Sequence, residues 1–201
     1  MASSTEICNL ALSHLNIGKE IAALSTEQSQ EASACRRFYE HALDATLRDF
    51  AWPFATTIAT VGLIESDPND EWAYSYRYPT DCVKIRRVLS GTRDDNRQTR
   101  SQYKIARDAS GLLFYSDQEN AEIEYTIREE DPEKYPSDFV LAFSYRLAAY
   151  IAPRLTKGDP FKLGAQALQM YRLEMSAAQA NAVNEEQRAE EPDAEIIRAR
   201  V

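Results

Sequence analysis

Residues 35–55 open as Cys35-Arg36-Arg37-Phe38-Tyr39 and close as Leu47-Arg48-Asp49-Phe50-Ala51-Trp52-Pro53-Phe54-Ala55. A polar interval leads on to Trp72-Ala73-Tyr74-Ser75-Tyr76-Arg77-Tyr78-Pro79-Thr80-Asp81-Cys82-Val83-Lys84-Ile85. The spacing of apolar residues changes inside this stretch, and that change decides the fold. Ala32, Cys35, Phe38, Tyr39, Ala42, Leu43, Thr46, Leu47 and Phe50 recur at intervals of three and four. That rhythm predicts a helix of about five turns with one buried stripe, ended by Pro53. From Thr56 the period is two. Trp72, Tyr74, Tyr76 and Tyr78 alternate with Ala73, Ser75 and Arg77, which predicts a strand with an aromatic face.

Working outward, Ser3 followed by Glu6 forms a capping box for a first helix, with Ile7, Leu10, Ala11 and Leu15 on one face and Gly18 as the stop. Beyond the aromatic strand, Val83 with Ile85, Leu112 to Tyr115, and Ile123, Tyr125 and Ile127 predict further strands. Turn-forming residues at 67–70, 91–96 and 108–111 separate them. One compact antiparallel sheet of about four to six short strands is expected. Helical spacing returns after Pro136: Ser137 is the expected N-cap, and Phe139, Phe143, Leu147, Tyr150 and Ile151 define a face that Pro153 kinks or ends. Asp159-Pro160 opens a last helix carrying Phe161, Ala165, Leu168, Tyr171, Arg172 and Met175. From Asn184 the chain turns polar and acidic, and a flexible tail is expected there.

These elements predict an α+β, mainly α fold: an antiparallel four-helix bundle with an inserted small antiparallel β module and an extended C-terminal tail. The expected divisions are 1–55 as helical half one, 56–130 as the β module, 131–184 as helical half two completing the bundle, and 185–201 as the tail.

A hydrophobic fraction of 44% supports a real core, and a net charge of −9 argues against a nucleic-acid binder, which needs clustered Lys and Arg. Three widely spaced cysteines, Cys8, Cys35 and Cys82, suggest reduced, mostly buried thiols and synthesis in the cytoplasm. The N-terminal residues lack the basic start of a signal peptide. No apolar run approaches about 18 residues, so no membrane contact is expected.

The search for chemistry returns little. His14 and His41 each sit on a predicted helix with no Cys or His at metal-ligand spacing. Six glycines supply no phosphate-cradling loop, and no Ser or Cys lies in a sharp glycine-flanked turn. Carboxylates run together at Glu129-Glu130-Asp131, Glu185-Glu186 and Glu190-Glu191, in segments too polar to drive two pKa values apart. No catalytic residue, cofactor or metal is therefore expected. An enzymatic alternative is a cell-wall hydrolase using an acidic pair such as Glu122 and Glu124.

Residues 84–107 differ from the rest. Lys84, Arg86, Arg87, Arg93, Arg97, Arg100, Lys104 and Arg107 face only Asp94 and Asp95, whereas 108–138 is acidic. Such bipolarity suits a surface that meets the opposite sign on a neighbour. A solvated hairpin and a nucleic-acid-binding module are the alternatives. Trp72, Tyr74 and Tyr76, with Arg86, Arg87, Arg93, Arg97 and Arg100, are the candidate subunit or tail interface. Four large aromatics in one strand could exceed what a small sheet covers.

The ordered set Cys35, Phe38, Tyr39, Leu47, Trp52, Phe54, Ala55, Trp72, Tyr74, Tyr78, Pro79, Asp81, Cys82 and Val83 resembles the head-to-tail adaptor (neck, connector) family of tailed bacteriophages, which includes the tail tubular protein A of short-tailed phages. Leu147-Ala148, Ile151-Ala152, Leu155-Thr156, Leu168, Tyr171 and Leu173 extend the likeness, which spans roughly residues 5 to 180. The resemblance implies a structural virion protein at the head–tail neck. It implies a homo-oligomeric ring, typically a dodecamer, seated between the portal protein and the tail tube or nozzle protein. Double-stranded DNA would pass through without sequence-specific binding during genome ejection. Acidic subunits would hold that DNA weakly. The tail would dock the portal with Ile196 and Ile197 as apolar anchors flanked by Arg198 and Arg200.

Overall fold

Ser3 accepts a hydrogen bond from the Glu6 amide at 3.1 Å and starts helix α1, Ser4–His14. In this computed structural model residues 2–92, 100–156 and 160–185 are described. Ser29 caps α2, Gln30–Asp49, whose predicted stripe from Ala32 to Leu47 is buried apart from the half-buried Phe38. The helix stops at Phe50, where the backbone becomes extended, and Pro53 begins a single 3₁₀ turn, Pro53–Ala55.

Seven strands follow: β1 Thr56–Thr60, β2 Leu63–Asn69, β3 Trp72–Arg77, β4 Cys82–Val88, β5 Tyr103–Asp108, β6 Gly111–Ser116 and β7 Glu122–Ile127. They form two antiparallel sheets, one ordered β1-β7-β4 and the other β2-β3-β6-β5. Helix α3, Ser137–Leu155, and helix α4, Pro160–Glu185, complete the described chain. Pro136, not Ser137, occupies the N-cap of α3, and Ser137 is the first helical residue. Pro153 lies within the last turn, where it removes one amide donor, and the helix ends two residues later at Leu155.

The expectation of a mainly α four-helix bundle with one inserted sheet is corrected by this architecture. Among the described residues four helices accompany seven strands in two sheets. The helices do not form four equal staves either, since α1, α2 and α4 all gather on α3. The unpredicted strands lacked a burial period. β2 is exposed along nearly its whole length, and Asp67, in the segment read as a turn, adopts φ 50° inside that strand. β5 alternates weakly because its edge faces solvent.

Two cores result. Ile7, Leu12, Leu43, Leu47, Trp52, Phe139, Phe143, Leu147 and Ile151 pack between the helices, joined by Tyr171 and Met175 of α4. Val61, Tyr76, Ile85, Val88, Phe114, Ala121, Ile123 and Tyr125 fill the space between the sheets. Each such large side chain contributes about 1.5–3 kcal/mol when fully buried. Ile127 at the end of β7 packs against both cores and so joins them.

Candidate functional site

Polar contacts concentrate where α2 meets β4. The last carbonyls of a helix have no partner within it and carry partial negative charge. Arg86 on β4 supplies the missing donors: its guanidinium bonds the Leu47 carbonyl at 2.7 Å, that of Arg48 at 3.1 Å and that of Phe50, while Nε donates to Thr126 Oγ1 at 2.7 Å. Burial, and then the charge of Arg48, lower its pKa below the ordinary value. Arg48 in return donates to the Val83 carbonyl at 2.9 Å. Beside this latch the Trp52 indole donates to the Thr46 carbonyl at 3.0 Å and meets Phe139 edge-on at 4.9 Å. Past β7, Arg128 bonds Asp44 Oδ1 at 2.8 Å and also Glu40, both on α2, and its amide donates to the Asp81 carbonyl at 3.0 Å. The three-stranded sheet is thereby fastened to α2 at two separate points.

The structure does not gather the expected interface residues into one patch. Tyr76 is 1% exposed, stacks on Phe114 at 5.4 Å and donates its hydroxyl proton to the Gln118 carbonyl at 2.7 Å, so it belongs to the core between the sheets. Tyr74 packs half-buried against the same core. Trp72 is half-buried, with a buried indole N–H that has no protein acceptor. Arg86 serves as the helix latch, and Arg87 is paired with Glu124 at 2.6 Å. Arg100 is exposed. Arg93, Arg97, Ile196, Ile197, Arg198 and Arg200 lie outside the described residues.

Glu122 and Glu124, the acidic pair of the hydrolase reading, project from alternate positions of β7. Glu122 is exposed, and Glu124 is engaged by two guanidinium nitrogens of Arg87. Glu124 borders an open depression of about 450 Å³ with Ala51, Pro53, Thr56, Thr57 and Ile58, a lining without a Ser, a Cys or a second acid. Cys8 and Cys35 are fully buried, and interaction with Cys35 together with burial drives the Cys8 thiol upward, away from the reactive thiolate. Among the described residues no cluster of His, Cys, Asp or Glu is suited to a metal. His14 Nε2 lies 2.9 Å from Ser144 Oγ, whose hydroxyl donates to the Leu141 carbonyl. The imidazole therefore donates to Ser144, and its ring stacks on Tyr145 at 3.7 Å. Of the basic segment's cations, Arg86, Arg87 and Lys104 all have partners within the chain, Lys104 being paired with Glu71 at 3.2 Å. No helix of the described residues is long and apolar enough to cross a membrane.

Sequence reading missed four exposed apolar residues of the sheets, namely Ile58, Leu63, Ile64 and Ile105, and placed Leu112 on a strand without showing that it is exposed. Their signal was present as branched and aliphatic side chains inside polar runs, but without the strand order those residues read as isolated. No protein-family model matches the chain, and no curated protein matches it.

Proposed function

We propose that this chain is a non-enzymatic virion neck protein that assembles into a ring adaptor, joins the portal to the tail and continues the DNA channel. The observation that carries the reading is where the family-like residues sit. Leu47 and Trp52 are buried at the foot of α2, Phe54 packs on Phe139 at 4.9 Å, Asp81 anchors the Arg128 amide and the Tyr125 hydroxyl, and Val83 accepts from Arg48. The ordered motif thus builds the fastened junction of helices and sheets and not a pocket. A subunit that bears load between two particle components needs such a junction, because slack between its halves would be multiplied around a ring.

The side chains that could have served other chemistry are largely engaged elsewhere: Glu124 by Arg87, Arg86 by the end of α2, and Cys8 within the helical core. The reading assigns the region after residue 184 to portal docking. Removing residues 185–201 is expected to leave the melting transition unchanged while weakening retention on immobilised portal rings. Equal retention of the truncated and full-length chains would remove the docking role.

A further inference from the structure

An edge strand exposes a row of unpaired amides and carbonyls, and folds blunt such rows with proline, charge or register breaks. Among the described residues the edge strands are β1 and β4 of one sheet and β2 and β5 of the other. β2 contains Pro68 and two register shifts, β4 has two register shifts, and β5 carries Lys104 and Arg107. β1, Thr56-Thr57-Ile58-Ala59-Thr60, has none of these devices and pairs with β7 in unbroken register. Its outer side is a template for one more strand.

The two faces beside β1 differ in chemistry. Directly opposed residues of an antiparallel pair share a face. Thr57 and Ala59 oppose Tyr125 and Ile123, which belong to the core between the sheets, so this face turns inward. Ile58 and Thr60 oppose Glu124 and Glu122 and turn outward, where Ile58 and Glu124 border the open depression. Only Val61 and Gly62 separate β1 from β2, so Leu63 lies close to the end of β1. Leu63 opposes the core residue Tyr76 and shares its face, yet is 54% exposed. A strand added beside β1 therefore meets apolar surface inward and carboxylates outward.

A segment of this chain has that pattern. Ile197, Ala199 and Val201, which lie outside the described residues, alternate with Arg198 and Arg200. This is the period of a strand with one apolar and one basic face. The route to β1 is short. Gly164 lies against Ala149 and Ala152 while Tyr171 bonds Arg146, so α4 runs antiparallel to α3. It ends towards the Phe139 end of α3, where Phe54 packs just before β1 begins. From Glu185 the chain to Ile196, when extended, spans about 36 Å.

We infer that residues 196–201 pair with the free edge of β1 in their own chain, as a fourth strand of that sheet. Ile197, Ala199 and Val201 then extend the inward face beside Ala59 and Leu63. Arg198 and Arg200 stand on the outward face, that of Glu122 and Glu124. The inference goes beyond the ring reading: the segment given to the portal has a resting place on its own chain, from which a portal ring draws it.

A five-residue edge that stays unpaired is the rival account, and amide exchange separates the two. Full-length Ile197→Asp/Val201→Asp and full-length Leu63→Asp are compared with the unmodified chain by hydrogen exchange of the Thr56–Thr60 amides, at two protein concentrations. A local contact of this size opens before the cores melt, so all three chains share one thermal transition, which also checks the fold. In both variants the β1 amides not bonded to β7 are expected to exchange at least about tenfold faster, with β7 and the helices unchanged. Exchange equal to that of the unmodified chain in either variant overturns the seat. Protection that grows with protein concentration overturns the own-chain assignment. If no chain is retained on portal rings while the exchange response persists, the portal role falls and the seat stands.

Discussion

Trp52 illustrates how much of the junction rests on single side chains. It is buried, edge-on to Phe50 and Phe139, and it satisfies the Thr46 carbonyl. Trp52→Ala is expected to cost about 3–5 kcal/mol in urea unfolding, from cavity formation and the lost bond together. Arg86→Met would strand the carbonyls of Leu47 and Phe50 and leave that of Arg48 with Lys84 alone, at a cost of about 2–3 kcal/mol. Arg86→Lys should fall between that variant and the unmodified chain, because an ammonium keeps the charge but not the planar fork. His14 sets a pH dependence. Burial lowers its pKa from the ordinary 6.5, so the unfolded chain accepts a proton more readily than the folded one. Stability from this residue is complete above about pH 6.5 and falls as pH drops towards the lower folded value. Melting temperatures across that window should show the decline, and His14→Gln should flatten it. Glu31, held down by the Lys19 hydrogen bond, and Glu129, held down by Lys134, lose their contribution in a separate window, below about pH 4.5.

At the scale of elements, α1 and α2 were legible because their signals are local: the Ser3–Glu6 capping box of the first and, in the second, a three-to-four spacing that becomes a buried stripe. β3 was legible for the same reason, through alternation. β2 was not, since an edge strand with Asp67 at positive φ and Pro68 inside it presents the composition of a turn. The division into two sheets is non-local: β1 pairs with β7, about sixty-five residues away in the chain, and no short-range pattern encodes that. Arg86 was read as an interface cation because sequence does not show that a strand residue lies at a helix end. The α3–α4 contact offers a test at this scale. A Cβ on Gly164 would stand 3.4 Å from the Ala149 carbonyl oxygen and 3.6 Å from the Ala152 Cβ, which is ordinary contact. Gly164→Ala should therefore stabilise by about 0.5–1 kcal/mol through helix propensity. Gly164→Val adds bulk at the same closeness and should destabilise by about 1–3 kcal/mol. Chemical denaturation of the pair reads both signs.

For the whole molecule, the helical core and the core between the sheets are joined through Ile127 and through the fastenings at Arg86 and Arg128. Its exposed large apolar side chains are spread over both sheets, at Ile58, Leu63, Ile64, Ile105 and Leu112, and over α4, at Phe161 and Leu173. The candidate interface was only partly legible for that reason. Aromatic content pointed to β3, but β3 is an inner strand, and Tyr76 is consumed by the fold, whereas the less conspicuous Leu63 and Ile105 stand on the edge strands β2 and β5. Acting by fit to copies of itself and to adjoining components is the central claim. Native mass measurement of portal rings mixed with the full-length chain tests it most directly. The account predicts one added species whose mass is a closed, whole-number set of chains on each portal ring. A portal mass unchanged at saturating chain would contradict it.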